Sequence, residues 1–277
     1  VANVCVSGIV VRGKRTVESQ AAVAVASPTT SVFARHSFLI KRIFSLSGLF
    51  FSGYVVVHLM TNASLLAGPR IFQENVNRLH SLGPMLPLVE WTFLFIPILF
   101  HALVGWAIIL GASPNLTDYR YVGNVRYTLQ RVTAILLFFF IVFHIWHMHH
   151  YGRALGGGDF VPEMAASSTA KALKPLPIRL IYALGVLSAA FHLGNGIWTA
   201  GVTWGFWLTP AAQRRANGIA WAVGILVMLL GVLALIGARR VDIPAAEAAE
   251  RLMEQRQQWL LGEDVAPPEA NKSKATD

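Results

Sequence analysis

Residues 129–150 read LQRVTAILLFFFIVFHIWHMHH. From Val132 to Phe143 no side chain carries a charge, and the whole run from Leu129 to His150 is long enough to cross roughly 30 Å of hydrocarbon as a helix. Inside a bilayer no water is at hand to satisfy the backbone, so the run must be helical. It then ends in an unusual way, with His144, His147, His149 and His150 following in one turn and a half. An imidazole embedded in hydrocarbon costs a few kcal/mol unless it has a partner and a task.

Four more apolar stretches flank this one, at 43–66, 86–110, 178–207 and 219–238. Gly111 and Pro114 close the second, Gly156-Gly157-Gly158 follow the third, Pro210 stops the fourth, and Arg239-Arg240 close the fifth. Only 13% of the chain is charged and 55% is hydrophobic, whereas soluble domains carry about 25% charged residues. The expected fold is an all-α integral membrane bundle of five transmembrane helices over residues 36–240. Residues 1–35 read as a flexible basic tail, with the run 21–26 too short for a signal-peptide core. Residues 241–277 read as a tail that is helical and amphipathic over 245–261 and disordered after Pro267-Pro268. The net charge of +9 is scattered over loops and tails, which fits contact with anionic lipid rather than nucleic acid. Basic residues are balanced between the two sets of loops, so charge leaves the orientation open. Cys5 is the one cysteine, so this chain builds no disulfide, zinc ribbon, iron–sulfur cluster or covalent C-x-x-C-H haem attachment.

Of nine histidines, four lie well inside successive apolar stretches: His58, His101, His144 and His192, spaced by 43, 43 and 48 residues. One imidazole per crossing over four crossings points to axial ligation of iron. Two imidazoles make a six-coordinate haem suited to electron transfer, so four imply two haems, bound without covalent attachment. Chain alternation gives the pairing. His58 and His144 each lie about 15 residues into their spans, about 22 Å deep at 1.5 Å per residue. His101, entered from the other side, lies about 15 Å from the face at which the first helix starts, and His192 lies nearer mid-bilayer, so alternation carries the pairing as much as depth does. The expected pairs are His58 with His144 and His101 with His192, and His147 is held in reserve for His144.

Haem propionates require donors. Lys41, Arg42 and Ser47 at the start of the first helix, and Gln130, Arg131 and Thr133 at the start of the third, are suitable. The same residues would equally serve as interfacial anchors. Gly48, Gly53, Gly105, Gly194 and Gly196 lie near the histidines in sequence and would let a flat macrocycle or a neighbouring helix approach.

Several strings now stand out: Val57-His58-Leu59, Phe100-His101-Ala102-Leu103-Val104-Gly105, Leu129-Gln130-Arg131-Val132-Thr133, Phe143-His144-Ile145-Trp146, and above all Phe191-His192-Leu193-Gly194-Asn195-Gly196-Ile197-Trp198. Over residues 36–238 the chain resembles the cytochrome b membrane-anchor subunit of succinate dehydrogenase and fumarate reductase, in its single-subunit, five-helix, two-haem form. The resemblance implies flavoprotein and iron–sulfur partner subunits docked on the cytoplasmic face of a bacterial inner membrane, with a cytoplasmic N-terminus. It further implies two b haems, with His101 and His192 on the proximal one and His58 and His144 on the distal one, and menaquinone as electron acceptor. Succinate would be oxidised on a partner subunit, since this chain has neither a flavin-binding glycine motif nor cluster cysteines. In di-haem fumarate reductases a glutamate precedes the fourth ligand by two residues. Ala190 stands there in this chain, which leans toward succinate oxidation.

Quinone chemistry moves protons, and Glu90 at the start of the second helix, beside Trp91, is the candidate proton-handling group. Glu74 and His80 are lesser ones, and a solvated helix-start acid is the competing account of Glu90. Two other functions share parts of the pattern. A di-haem cytochrome b of a hydrogenase, formate dehydrogenase or nitrate reductase would distribute its histidines differently. A haem-free transport or structural protein would use them as polar helix contacts.

Overall fold

The structure is a computed structural model that describes residues 36–111 and 121–262. The expectations for residues 1–35 and for the end of the C-terminal tail lie outside the described residues. The chain divides into two units, residues 1–40 and residues 41–277. Of the first unit only residues 36–40 are described, and they form the opening of the first helix, where the N–H of Ile40 donates to the carbonyl of His36. All other described residues belong to the second unit.

The elements in order are α1 (Ser37–Ala63), α2 (Pro69–His80), α3 (Leu86–Glu90), α4 (Ile96–Leu110), α5 (Val122–Met148), α6 (Ala165–Ala172), α7 (Leu176–Trp204), α8 (Pro210–Arg240) and α9 (Ile243–Leu260). Five stretches are long and apolar enough to cross a membrane: Ser37–Ala67, Gly83–Leu110, Val122–Met148, Leu176–Trp204 and Pro210–Arg240. α1 and the α3–α4 stretch leave Phe50, Val57, Met60, Leu88, Leu99 and Leu103 exposed along their lengths. A water-soluble protein rarely exposes apolar surface so continuously; a lipid-facing bundle does.

The ends of these helices follow from local chemistry rather than hydropathy. α8 starts nine residues before its apolar stretch because Thr209 accepts the N–H of Ala212 at 3.2 Å and Pro210 takes the first helical position. Its polar opening, Gln213-Arg214-Arg215, is therefore helical. α7 ends at Trp204 because Gly205 adopts φ +80°, a left-handed cap that glycine accepts without strain. Between α3 and α4 the residues Trp91–Phe95 form a π turn, immediately before Ile96-Pro97. Pro97 lacks an N–H and its ring would press on the carbonyl four residues back; the wider π turn accommodates it.

α7 and α8 meet along a seam of small residues. A Cβ on Gly194 would come within 2.5 Å of the Ala220 carbonyl, one on Gly224 within 3.1 Å of the Ala190 carbonyl, and one on Gly231 would collide with Val186. Val227, fully buried, fills the middle with Ala190 and Leu193. In lipid, where apolar burial gives no bias between helices, such close backbone approach is the source of attraction.

α2, α6 and α9 form a cap over the end of the bundle where α1 and α5 finish. Its core joins Leu65, Phe72, Val76, Ala165, Ala166 and Leu173 to Tyr182 and Ala238 of the long helices. Gln73, buried, gives its Nε2 to the Pro162 carbonyl at 2.6 Å and accepts the Ala165 N–H at 2.9 Å. Glu250, with no exposed surface, accepts the N–H groups of Ala166 and Ser167 at 2.6 and 3.2 Å. A carboxylate at that helix start satisfies two donors that have no partner within the helix.

Candidate functional site

Two imidazole pairs occupy the bundle. His58 of α1 faces His144 of α5 with ring centres 5.8 Å apart and planes at 80°. His101 of α4 faces His192 of α7 at 6.5 Å and 82°. The first pair lies toward the capped end; the second lies near Phe44 and Gln130, where α1 and α5 begin. Among the described residues no three His, Cys, Asp or Glu side chains converge as a metal-holding group.

Each pair suits one iron. Two imidazoles holding one metal between them, with bonds of roughly 2 Å and about 1 Å from ring nitrogen to ring centre, would have ring centres roughly 6 Å apart. Both separations fall close to that span. The ring nitrogens have partners that orient them. His101 lies parallel to Phe44 at 4.3 Å, and its Nδ1 is 3.2 Å from the Phe44 carbonyl and 3.3 Å from Ser47 Oγ. A carbonyl only accepts, so His101 carries its proton on Nδ1 and keeps the Nε2 lone pair for a metal. His192 has Gln130 Nε2 at 3.2 Å and Thr133 Oγ1 at 3.5 Å from its Nδ1. His58 Nε2 lies 3.4 Å from the amide of Asn62. His144 Nδ1 meets the hydroxyl of Tyr182 at 3.2 Å. The reserve candidate His147 is engaged on both nitrogens, by Tyr182 at 2.9 Å and by the Asp159 carboxylate at 3.3 Å.

The expected propionate donors separate into two groups. Ser47, Gln130 and Thr133 touch the His101–His192 pair. Arg42 lies 5.0 Å from the ring centre of Trp204, and Lys41 is exposed. Arg131 folds over Tyr127 and donates to its carbonyl at 3.1 Å, leaving a buried Nε without a partner among the described residues. Arg126, by sequence only a loop charge, enters the site as well. It donates to Asn195 at 2.9 Å and to Asn217 at 2.8 Å, and lies 4.3 Å over Trp198. Asn195 in turn donates to Gln130 at 2.7 Å. The signal was present in the spacing: Arg126, Gln130 and Thr133 share one helical face at i, i+4 and i+7.

The glycines also sort differently from their order along the chain. Gly48 lies against His101, not against the nearer His58; Gly53 meets nothing within 4 Å; Gly194 serves the α7–α8 seam.

Glu90 sits at the capped end with its carboxylate 3.7 Å from His149 Nε2 and both side chains mostly buried. The Tyr151 N–H donates to His149 Nδ1 at 3.4 Å, so the ring proton of a neutral His149 sits on Nε2 and faces Glu90. Burial, and then the neighbouring His150, push the His149 pKa below its ordinary range, while Glu90 opposes them. Trp91 donates to Tyr151 Oη at 3.0 Å beside them. Glu74, by contrast, is tied to Arg70 at 3.1 Å on the outer surface of α2, and His80 is exposed.

Residues 111–232 match the family model of the succinate dehydrogenase/fumarate reductase transmembrane subunit. The chain is similar to the succinate dehydrogenase cytochrome b558 subunit of Bacillus subtilis (strain 168), with 30% identity over 200 residues that cover 72% of this chain and 95% of that relative. Five membrane-crossing helices, paired intramembrane histidines and these two matches converge: the chain belongs to the succinate dehydrogenase/fumarate reductase family of membrane-anchor cytochrome b subunits.

Proposed function

We propose that this subunit carries electrons from an iron–sulfur partner subunit to quinone by holding two b haems, one between His101 and His192 and one between His58 and His144. The single observation that carries the reading is the pair of facing imidazole couples, 5.8 and 6.5 Å apart, at opposite ends of one bundle. Haem b bound there supplies a one-electron iron couple of low-spin character. Residues of this chain orient it. Phe44 and Ser47 hold His101, Gln130 and Thr133 surround His192, and Asn62 and Tyr182 adjoin His58 and His144. Ser47, Gln130, Thr133, Arg126 and Arg131 supply donors for propionates at the end where α1 and α5 begin, with Lys41 and Arg42 at the membrane boundary.

The flavoprotein and iron–sulfur subunits dock at that same end, on the cytoplasmic side of a bacterial inner membrane, where the N-terminus lies. The His101–His192 haem is then proximal and the His58–His144 haem distal. Quinone, with menaquinone the family's usual choice for this type, is reduced near the distal pair, where Glu90 and His149 exchange the protons. The paired, mostly buried acid and imidazole support that role.

The test is the dithionite-reduced spectrum and haem content of the purified complex. Two b haems per copy of this chain are expected, with one lost in a variant of either member of a pair. A complex without low-spin haem b would remove the proposal.

A further inference from the structure

His144 differs from the other three embedded histidines in what stands behind it. At Nδ1, His101 meets a backbone carbonyl and a serine and His192 an amide and a threonine, while the Asn62 amide lies at Nε2 of His58. All are uncharged. Behind His144 the contacts run on: Tyr182 Oη at 3.2 Å, then from that oxygen to His147 Nδ1 at 2.9 Å, then from His147 Nε2 to Asp159 Oδ2 at 3.3 Å. The histidine in the middle is buried, with 7% of its side chain exposed, whereas Asp159 is half exposed. Asp159 lines, with Ser168, Lys171, Glu247 and Arg251, an open pocket of about 710 Å³ beside α6 and α9.

The terminal carboxylate gives this chain a direction. A carboxylate only accepts, so a neutral His147, with Nε2 3.3 Å from Asp159, carries its proton on Nε2 and leaves Nδ1 as an acceptor. Tyr182 fills that acceptor with its one hydroxyl proton. Its oxygen lone pairs are then left for the Nδ1–H of His144. Every donor has one acceptor, and the end result is a His144 whose Nε2 lone pair is free.

Asp159 is held in place by the loop that carries it. The N–H groups of Gly158 and Asp159 donate back to the carbonyls of Trp146 and His147 at 3.0 and 2.9 Å. A Cβ on Gly157 would strike the Trp146 carbonyl, and Gly158 has φ +76°. The three-glycine run is therefore what lets the chain fold back and bring a carboxylate onto the last turn of α5.

We propose that Tyr182, His147 and Asp159 are positioning residues for the His58–His144 haem: they fix the tautomer of His144 and draw its Nδ1 proton outward, which makes Nε2 a stronger donor to iron. The inference rests on the assignment of His144 as a ligand. A more basic axial imidazole favours ferric iron, so this haem has a lower midpoint potential than it would with a neutral partner alone. The chain behind His192 of the other haem, through Gln130 and Asn195 to Arg126, ends on a cation and not on a carboxylate.

The experiment is a spectroscopic redox titration of the purified full complex, comparing wild type with Tyr182→Phe and Asp159→Asn. Tyr182→Phe removes the acceptor, and the midpoint of one haem should rise by roughly tenfold in its one-electron equilibrium, about 59 mV. Asp159→Asn, a change on a half-exposed loop, should move the same haem upward by less, and carries the test alone if Tyr182→Phe does not assemble. The haem that moves should be the one missing in His144→Ala; the other should stay put. Both midpoints unchanged in Asp159→Asn, or a shift confined to the haem missing in His101→Ala, would overturn the positioning role while leaving ligation intact. Full haem content in His144→Ala would instead overturn the ligand assignment, and this inference with it.

Discussion

Gly48 lies directly against the imidazole of His101: a Cβ built on Gly48 would come within 2.7 Å of His101 Cε1. The ring cannot swing clear freely, because Phe44 stacks on it and its Nδ1 is held by the Phe44 carbonyl. Gly48→Ala should therefore displace the His101 ring and loosen one haem, with haem content falling toward one per chain. Gly53→Ala is the matched control, since nothing lies within 4 Å of Gly53. Equal haem content in both variants would show that the close approach is without consequence.

The α7–α8 seam makes a stability prediction. At Gly194 the atom facing an added Cβ is a backbone oxygen, that of Ala220, which cannot rotate away. Gly194→Ala should lower stability by about 1–3 kcal/mol as overpacking. Gly218→Ala in α8, where the space is open, should be neutral or gain up to about 1 kcal/mol from helix propensity. Thermal unfolding in detergent compares the two.

Glu250 ties α9 to the first turn of α6. Glu250→Ala leaves the N–H groups of Ala166 and Ser167 without an acceptor and should cost about 1–2 kcal/mol. The loss should appear locally, as faster proteolysis at Arg251 and Arg256, with the long helices still protected. Unchanged cleavage rates would mean that the cap does not depend on this carboxylate.

Lys171 of α6 and Glu247 of α9 form an ion pair across the same interface. The hydrogen bond from Lys171 holds the Glu247 carboxyl below its ordinary value of 4.5. A carboxylate depressed in the folded state stabilises it fully above the unfolded value, and that contribution is lost as pH falls through the folded one. Docking of α9, followed by hydrogen exchange, should weaken below about pH 4.5 and be insensitive between pH 6 and 8. Lys171→Met should remove this acid-dependent part.

Glu90→Gln keeps the shape of the side chain and removes its proton exchange. If Glu90 and His149 handle quinone protons, quinone reductase turnover should fall by tenfold or more, with haem content and both midpoints retained, since general acid–base groups contribute about 10²–10⁴-fold. Turnover equal to wild type in a steady-state quinone assay would exclude the assignment.

Much of this protein is readable along the chain. Spans of uncharged residues mark the crossings because lipid penalises every exposed charge and every unsatisfied peptide group, independently of what the neighbours are. The histidine spacing is readable for the same reason: an imidazole near the middle of such a span is conspicuous. α2 and α6 were not anticipated. They are short, and what holds them helical is distant in sequence: Gln73 bridging to Pro162 and Ala165, and Glu250 reaching Ala166 and Ser167. Arg126 was missed because hydropathy placed it before the third span, whereas α5 begins at Val122 and turns it toward Asn195 and Asn217.

The sequence alone determined the class of structure and the number of crossings, because each depends on the transfer of individual residues or short runs from water to lipid. Only the tertiary structure decided which glycine serves which helix, that Tyr182 stands between His144 and His147, and that a glycine loop brings Asp159 onto the end of α5. Those relations join residues far apart in the chain, and they depend on the rotation and depth of one helix against another, which no local pattern encodes.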